Sequence, residues 1–136
     1  MALILDTSAI MGLAFDDEDG QYARGVIDHI AADRAVVPTL FWFEIRNCLL
    51  MAERRQHTAM DQTTAFLADL EPLALEVDHH PQETIVLSLA RRHILTVYDA
   101  AYLELAKRRN LTLATIDKAL IKAAAAAGVA IWQPHA

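Results

Sequence analysis

Cysteine is almost missing from this chain. Cys48 is the only one in 136 residues, which rules out an internal disulfide, fits a reducing cytoplasm and leaves the thiol to read as a small core side chain. No apolar run approaches the ~18 residues that a membrane-spanning helix needs. The opening Met1 to Leu5 carries no basic flank and is cut at Asp6, so it makes a poor signal peptide. Glycine and proline number four each and nowhere gather into a linker. Positive charge is in the minority as well, with 12 Lys and Arg against 18 Asp and Glu, a net charge of -6 and a pI near 5.4. That balance argues against a protein held on nucleic acid by charge alone, while leaving room for one whose acids hold metal ions. What remains is 54% hydrophobic, enough to bury a sizeable core in one domain over residues 1–136, expected to be soluble, cytoplasmic and without a membrane partner.

Short apolar runs alternate with helical periodicity. Residues 2–5 are continuously apolar, as suits a strand buried on both faces of a parallel sheet, and residues 9–15 resume as a helix. An acidic turn, Asp16 to Gly20, follows and reads as a solvated loop. Residues 22–30 predict a helix, and residues 34–37 a second strand stopped by Pro38. Thr39 is placed to cap a helix running to about Arg55, in which Leu40, Phe41, Glu44, Cys48 and Met51 share a face. A further helix over residues 58–70 and a third strand over 73–77 come next, with His79 and His80 solvent-exposed in the turn after it. Residues 82–93 form a helix, and another begins at Thr96. In that helix Asp99, Tyr102, Leu103 and Ala106 face inward, while Glu104 and Arg108 make an exposed i,i+4 pair on the opposite side. Residues 111–114 predict a strand, residues 118–127 a helix stopped by Gly128, and residues 129–132 a last edge strand.

Four acids stand out against this frame. Asp6 and Asp117 follow strands, and strand carboxyl ends share one edge, where ligands bind in open α/β sheets. Glu44 and Asp99 interrupt inward faces of helices, and a buried carboxylate is costly unless paired or bound to a cation. Each has an ordinary explanation alone. Asp6, Asp99 and Asp117 can cap helices, and a slightly rotated helix or an Arg partner would satisfy Glu44. If all four converge, each pair of bare carboxylates about 5 Å apart repels by about 3 kcal/mol at an effective dielectric of ~20. Such a cluster calls for cations or raised pKa values. All-oxygen ligands select Mg²⁺, or Mn²⁺, over zinc.

At these residues the chain resembles the PIN-domain ribonucleases, particularly the VapC-type toxins of bacterial toxin-antitoxin pairs. Leu5-Asp6-Thr7-Ser8, Glu44 with Asn47, Tyr98 to Leu103 and Leu113 to Lys118 occur in that family's order and approximate spacing. The resemblance covers nearly the whole chain. It implies an α/β/α fold with a parallel central sheet flanked by helices, Asp6, Glu44, Asp99 and Asp117 as metal-site acids, and Ser8 and Thr115 as hydroxyls supporting them. It also implies an RNA substrate, hydrolysed at phosphodiester bonds, together with a homodimer and a cognate antitoxin.

Other classes fit less well. A phosphoaspartyl phosphatase of the haloacid dehalogenase class needs a second acid two residues after the first, where this chain has Ser8. A phosphoacceptor receiver domain needs a paired acid near the first strand and a late Lys, neither convincingly placed. A catalytically inactive protein-binding module, using Phe41, Trp42 or Trp132 for its partner, is the alternative from a different class. Phe41, Trp42 and Phe43 cannot all enter one core from a helix, so a partner is expected to cover part of that surface. Ten of the twelve Lys and Arg fall between Arg46 and Lys122. Arg46, Arg54, Arg55, Lys118 and Lys122 are accordingly candidates for phosphate contacts at the rim of the acidic site.

Overall fold

The structure, a computed structural model, describes residues 1–15 and 19–134, so the expected acidic turn lies partly outside the described residues. Among those residues four parallel strands are β1 (Leu3–Leu5), β2 (Ala35–Pro38), β3 (Leu75–Asp78) and β4 (Thr112–Ala114). The helices are α1 (Ser8–Phe15), α2 (Gly20–Ala32), α3 (Phe41–Arg54), α4 (Met60–Leu70), α5 (Glu83–His93), α6 (Val97–Arg109) and α7 (Lys118–Ala127). This is the α/β architecture expected. In space the strands run β3-β2-β1-β4, so the chain builds outward from β1 in one direction and then places β4 on its other side.

The pleat divides the core into two layers. Leu3 and Leu5 point with Ala35 and Val37 into a cluster holding Ile10, Val26, Ile30, Ile45 and Leu49, from α1, α2 and α3. Ile4 and Val36 point the other way, toward Tyr102, Leu103, Leu113 and Leu120. Alternate residues of a strand face opposite sides, so a three-residue strand buried on both faces reads as a continuous apolar run.

Boundaries differ where local chemistry competes. Pro38 ends β2 rather than stopping the chain before it, because the β1 pairing covers only Ala35 and Val36 and makes no demand on a proline N–H. The third strand lies further along than 73–77 and so takes in Asp78, which is buried. Thr39 does not cap α3; Leu40 occupies that position without a side-chain hydrogen bond. The expected edge strand at 129–132 reduces to a single bridge between Ile131 and Leu113. Gly128 ends α7 as predicted, in the left-handed conformation that glycine adopts without a Cβ penalty.

Helix α6 departs most from its expected role. Ala100 and every residue from Tyr102 to Ala106 are buried, because α5 covers the side that would otherwise face water. Glu104 is therefore 2% exposed, and its pair with Arg108 is an internal one. Glu104 also accepts the Gln82 N–H at the start of α5. Arg108 grips Asp78 with two 2.9 Å bonds, and Arg109 joins Asp78 to Glu76. The Arg108 guanidinium holds the Asp78 carboxyl well below the usual range against the opposing effect of burial; the His80 N–H and Arg109 add to it.

Candidate functional site

The reversal of strand order between β1 and β4 opens a crevice beyond their carboxyl ends, the position at which open α/β sheets bind ligands. Asp6 and Thr115 stand there side by side because Leu5 and Ala114 are in register and the Asp6 N–H bonds the Ala114 carbonyl at 3.1 Å. Ser8 and Thr115 donate to the same oxygen of Asp6, Oδ2, at 2.6 and 2.7 Å. Their own oxygens are held in turn, Ser8 Oγ by the Ile116 N–H and Thr115 Oγ1 by the Asp117 N–H. Two hydroxyls thus fix the rotamer of one buried acid.

Glu44 reaches the same place from α3. Its Oε1 accepts the Tyr102 hydroxyl at 2.6 Å and the Thr7 hydroxyl at 3.1 Å. Both donors lie in stretches that carry the family resemblance, but the sequence assigns neither of them a role at the site. The available signal was the inward face shared by Asp99 and Tyr102, one turn apart on α6. Burial and the neighbouring Glu44 hold the Tyr102 phenol protonated, so it remains a donor.

Helix α3 is rotated relative to expectation. Its core stripe is Phe41, Ile45, Leu49 and Ala52, which turns Glu44, Cys48 and Met51 toward the crevice. Cys48 is consequently exposed there, not a core residue. Partial cover of the sulfur, with the charges of Glu44 and Asp6, pushes its pKa up and keeps it a neutral thiol.

Asp99 and Asp117 complete the lining of a cleft of about 550 Å³ that also contains Asp6, Glu44 and Asn47. Asp117 does cap a helix, its Oδ1 accepting the Leu120 N–H at 2.9 Å. Asp99 does not, since Thr96 is the cap of α6 and accepts the Asp99 N–H. Burial pushes the Asp99 carboxyl up to about 6, with Asp117, Asp6 and Glu44 adding to the rise. Asp6 is also raised, chiefly by burial; Ser8 and Thr115 oppose the shift, and Glu44 and Asp117 add to it. Asp6 and Asp99 thus both sit in a field to which Glu44 and Asp117 contribute negative charge. Among the described residues, however, no group of three His, Cys, Asp or Glu side chains is gathered tightly enough to enclose a bare cation.

The pattern of the PIN domain family matches this chain over residues 3–126. The chain belongs to the PIN-domain family. Ribonuclease VapC3 of Pyrobaculum aerophilum is 29% identical over 123 residues, 88% of this chain and 92% of that protein. The crystal structure of PAE2754, also from P. aerophilum, superposes with a TM-score of 0.67 at 27% identity, covering 90% of this chain and 87% of the other. FitAcB from Neisseria gonorrhoeae shares the fold, with a TM-score of 0.67 at 21% identity and 98% of each chain covered. The PIN-domain match runs from β1 into α7 and so contains all four acids.

Of the basic residues expected at the rim, only Arg55 lines the cleft. Arg46 lies over the Trp42 ring, 3.7 Å from its centroid, and lines a different groove with it. Phe41 is buried, whereas Trp42 and Phe43 are 55% and 71% exposed and meet edge to face. His79 and His80 are exposed, as expected.

Proposed function

We propose that this PIN domain, taken over residues 1–136, is a metal-dependent endoribonuclease and the toxin of a cytoplasmic toxin-antitoxin pair. The observation that carries this reading is the meeting of Asp6, Glu44, Asp99 and Asp117 in one cleft at the reversal of strand order. The relative named ribonuclease VapC3 supports the chemistry.

The donor set fits a hard divalent cation, Mg²⁺ or Mn²⁺. It supplies carboxylate oxygen from four chain positions, and the dominant charges acting on Asp6 and Asp99 are negative. Acids too widely spaced to enclose a bare ion still suit Mg²⁺, which keeps several waters and uses few direct carboxylates. Asp6, Glu44, Asp99 and Asp117 would hold it. When bound, such an ion lowers the pKa of a water and neutralises charge on a phosphodiester. The protein's own part is positional. Ser8 and Thr115 keep Asp6 aimed into the cleft, Tyr102 and Thr7 do the same for Glu44, and Asp99 holds a proton at its carboxyl below about pH 6.

An antitoxin and a second copy of the chain are the proposed protein partners, the exposed Trp42 and Phe43 being the surface for one of them. The test of function is cleavage of end-labelled single-stranded RNA in Mg²⁺, in Mn²⁺ and in EDTA. Cleavage with either ion and none in EDTA is expected. Cleavage indifferent to EDTA would overturn the metal-dependent reading.

A further inference from the structure

An acidic cleft must still hold a polyanion beyond the bond it cuts. Two basic side chains line it among the described residues, Arg55 and His57, and both lie at the far end of α3 from Glu44. The turn that carries them is pinned. The Arg55 N–H bonds the Met51 carbonyl, the Gln56 N–H the Glu53 carbonyl and the His57 N–H the Ala52 carbonyl, with Gln56 at a φ of 60°. Arg34, Arg108 and Arg109 are engaged by carboxylates, and Arg46 by Trp42. Arg55 forms no ion pair with any described residue. A basic residue at a helix carboxyl end ordinarily offsets the dipole, but Arg54 is equally placed for that and does not line the cleft.

We infer that Arg55, assisted by His57, binds an RNA phosphate remote from the scissile one and so sets how long a substrate must be to bind well. This rests on the ribonuclease reading and names a phosphate subsite for it. Arg55 directly follows α3, eleven positions after Glu44, a backbone rise of about 16 Å. At ~3.4 Å per stacked nucleotide that distance corresponds to roughly five nucleotides, and to fewer if the strand is extended. That backbone spacing favours a phosphate several steps from the scissile one over its immediate neighbour.

The test is equilibrium binding of fluorescent dinucleotide and octanucleotide RNA, in EDTA across a salt series, by wild type, Arg55→Ala, Arg55→Lys and Arg54→Ala. Arg55→Ala should weaken octanucleotide binding roughly tenfold, the size of one charge-assisted hydrogen bond. It should flatten the slope of log K against log salt by about 0.7, the value for one single-strand phosphate contact. Arg55→Lys should keep most of the slope, Arg54→Ala all of it, and dinucleotide binding should be unchanged throughout. Equal slopes for Arg55→Ala, Arg54→Ala and wild type would overturn the subsite, even if the wild type cleaves RNA. Failure of the wild type to cleave RNA in Mg²⁺ or Mn²⁺, with the Arg55 slope effect intact, would overturn the ribonuclease reading and leave a binding cleft.

Discussion

Tyr102 on α6 donates a 2.6 Å hydrogen bond to Glu44 on α3, joining two side chains 58 residues apart in sequence at one wall of the acidic cleft. The phenol fills core space with its ring and positions an acid with its oxygen. Tyr102→Phe separates the two roles. The ring volume is kept, and Thr7 remains as a donor to Glu44, so the fold should survive with a loss of about 1–2 kcal/mol. RNA turnover should fall about tenfold, with apparent KM for RNA little changed. Urea denaturation and steady-state kinetics of the variant check both.

Arg108 lies between two buried acids, Asp78 and Glu104. Arg108→Ala would leave Glu104 without its cation and Asp78 with Arg109 alone, and should cost about 3 kcal/mol, the lower end of the range for breaking a buried pair from one side. Arg34→Ala removes an exposed partner of Glu76 and should change stability by less than about 1 kcal/mol. Comparable denaturation midpoints for the two variants would contradict the difference assigned to burial.

Acid stability has two limbs of opposite sign. The Asp78 carboxyl is lowered in the fold, so its contribution is complete above its unfolded value of about 3.8 and is lost as pH falls toward its folded value. Asp99 is raised to about 6, so its charge destabilises the metal-free fold at neutral pH, and the penalty lifts as pH drops from about 6 toward 3.8. Melting temperature in EDTA should therefore rise on going from pH 8 to 5 and fall below pH 4. Asp99→Asn should flatten the first limb while adding at most about 1 kcal/mol at pH 8, since Asp99 is partly open to solvent screening.

Trp42 is half exposed and contributes little to the core. Trp42→Ala should leave the melting temperature within a few degrees of wild type and weaken the complex that covers this surface by about 2 kcal/mol, or roughly 30-fold. Sedimentation velocity at a series of concentrations, with and without a co-expressed antitoxin, reads the change.

Much of this was legible in the sequence because the features are local. Strand β1 is a three-residue apolar run ended by Asp6, and α7 is closed by Gly128; both signals lie within a few residues of what they specify. The acids at 6, 44, 99 and 117 could be named because carboxylates at strand ends and on inward faces are conspicuous. What was hidden depends on distant packing. Glu104 looks like half of an exposed pair until α5 is laid over it, and Asp78 meets Arg108 only once α6 packs against the sheet. The roles of Thr7 and Tyr102 depend on where α3 sits against α6. Cys48 was misplaced because a rotation of one residue exchanges the core stripe of α3 for its cleft stripe.

Single-turnover RNA cleavage at saturating Mn²⁺ by Asp6→Asn, Glu44→Gln, Asp99→Asn and Asp117→Asn measures whether the four acids act as a unit. Each variant is expected to lose at least about 10²-fold in rate, in the range for removing a group that positions charge at a reacting centre, while still binding RNA. Wild-type rates from any one of them would remove that acid from the centre, and wild-type rates from all four would show that the cleft is not where RNA is cut.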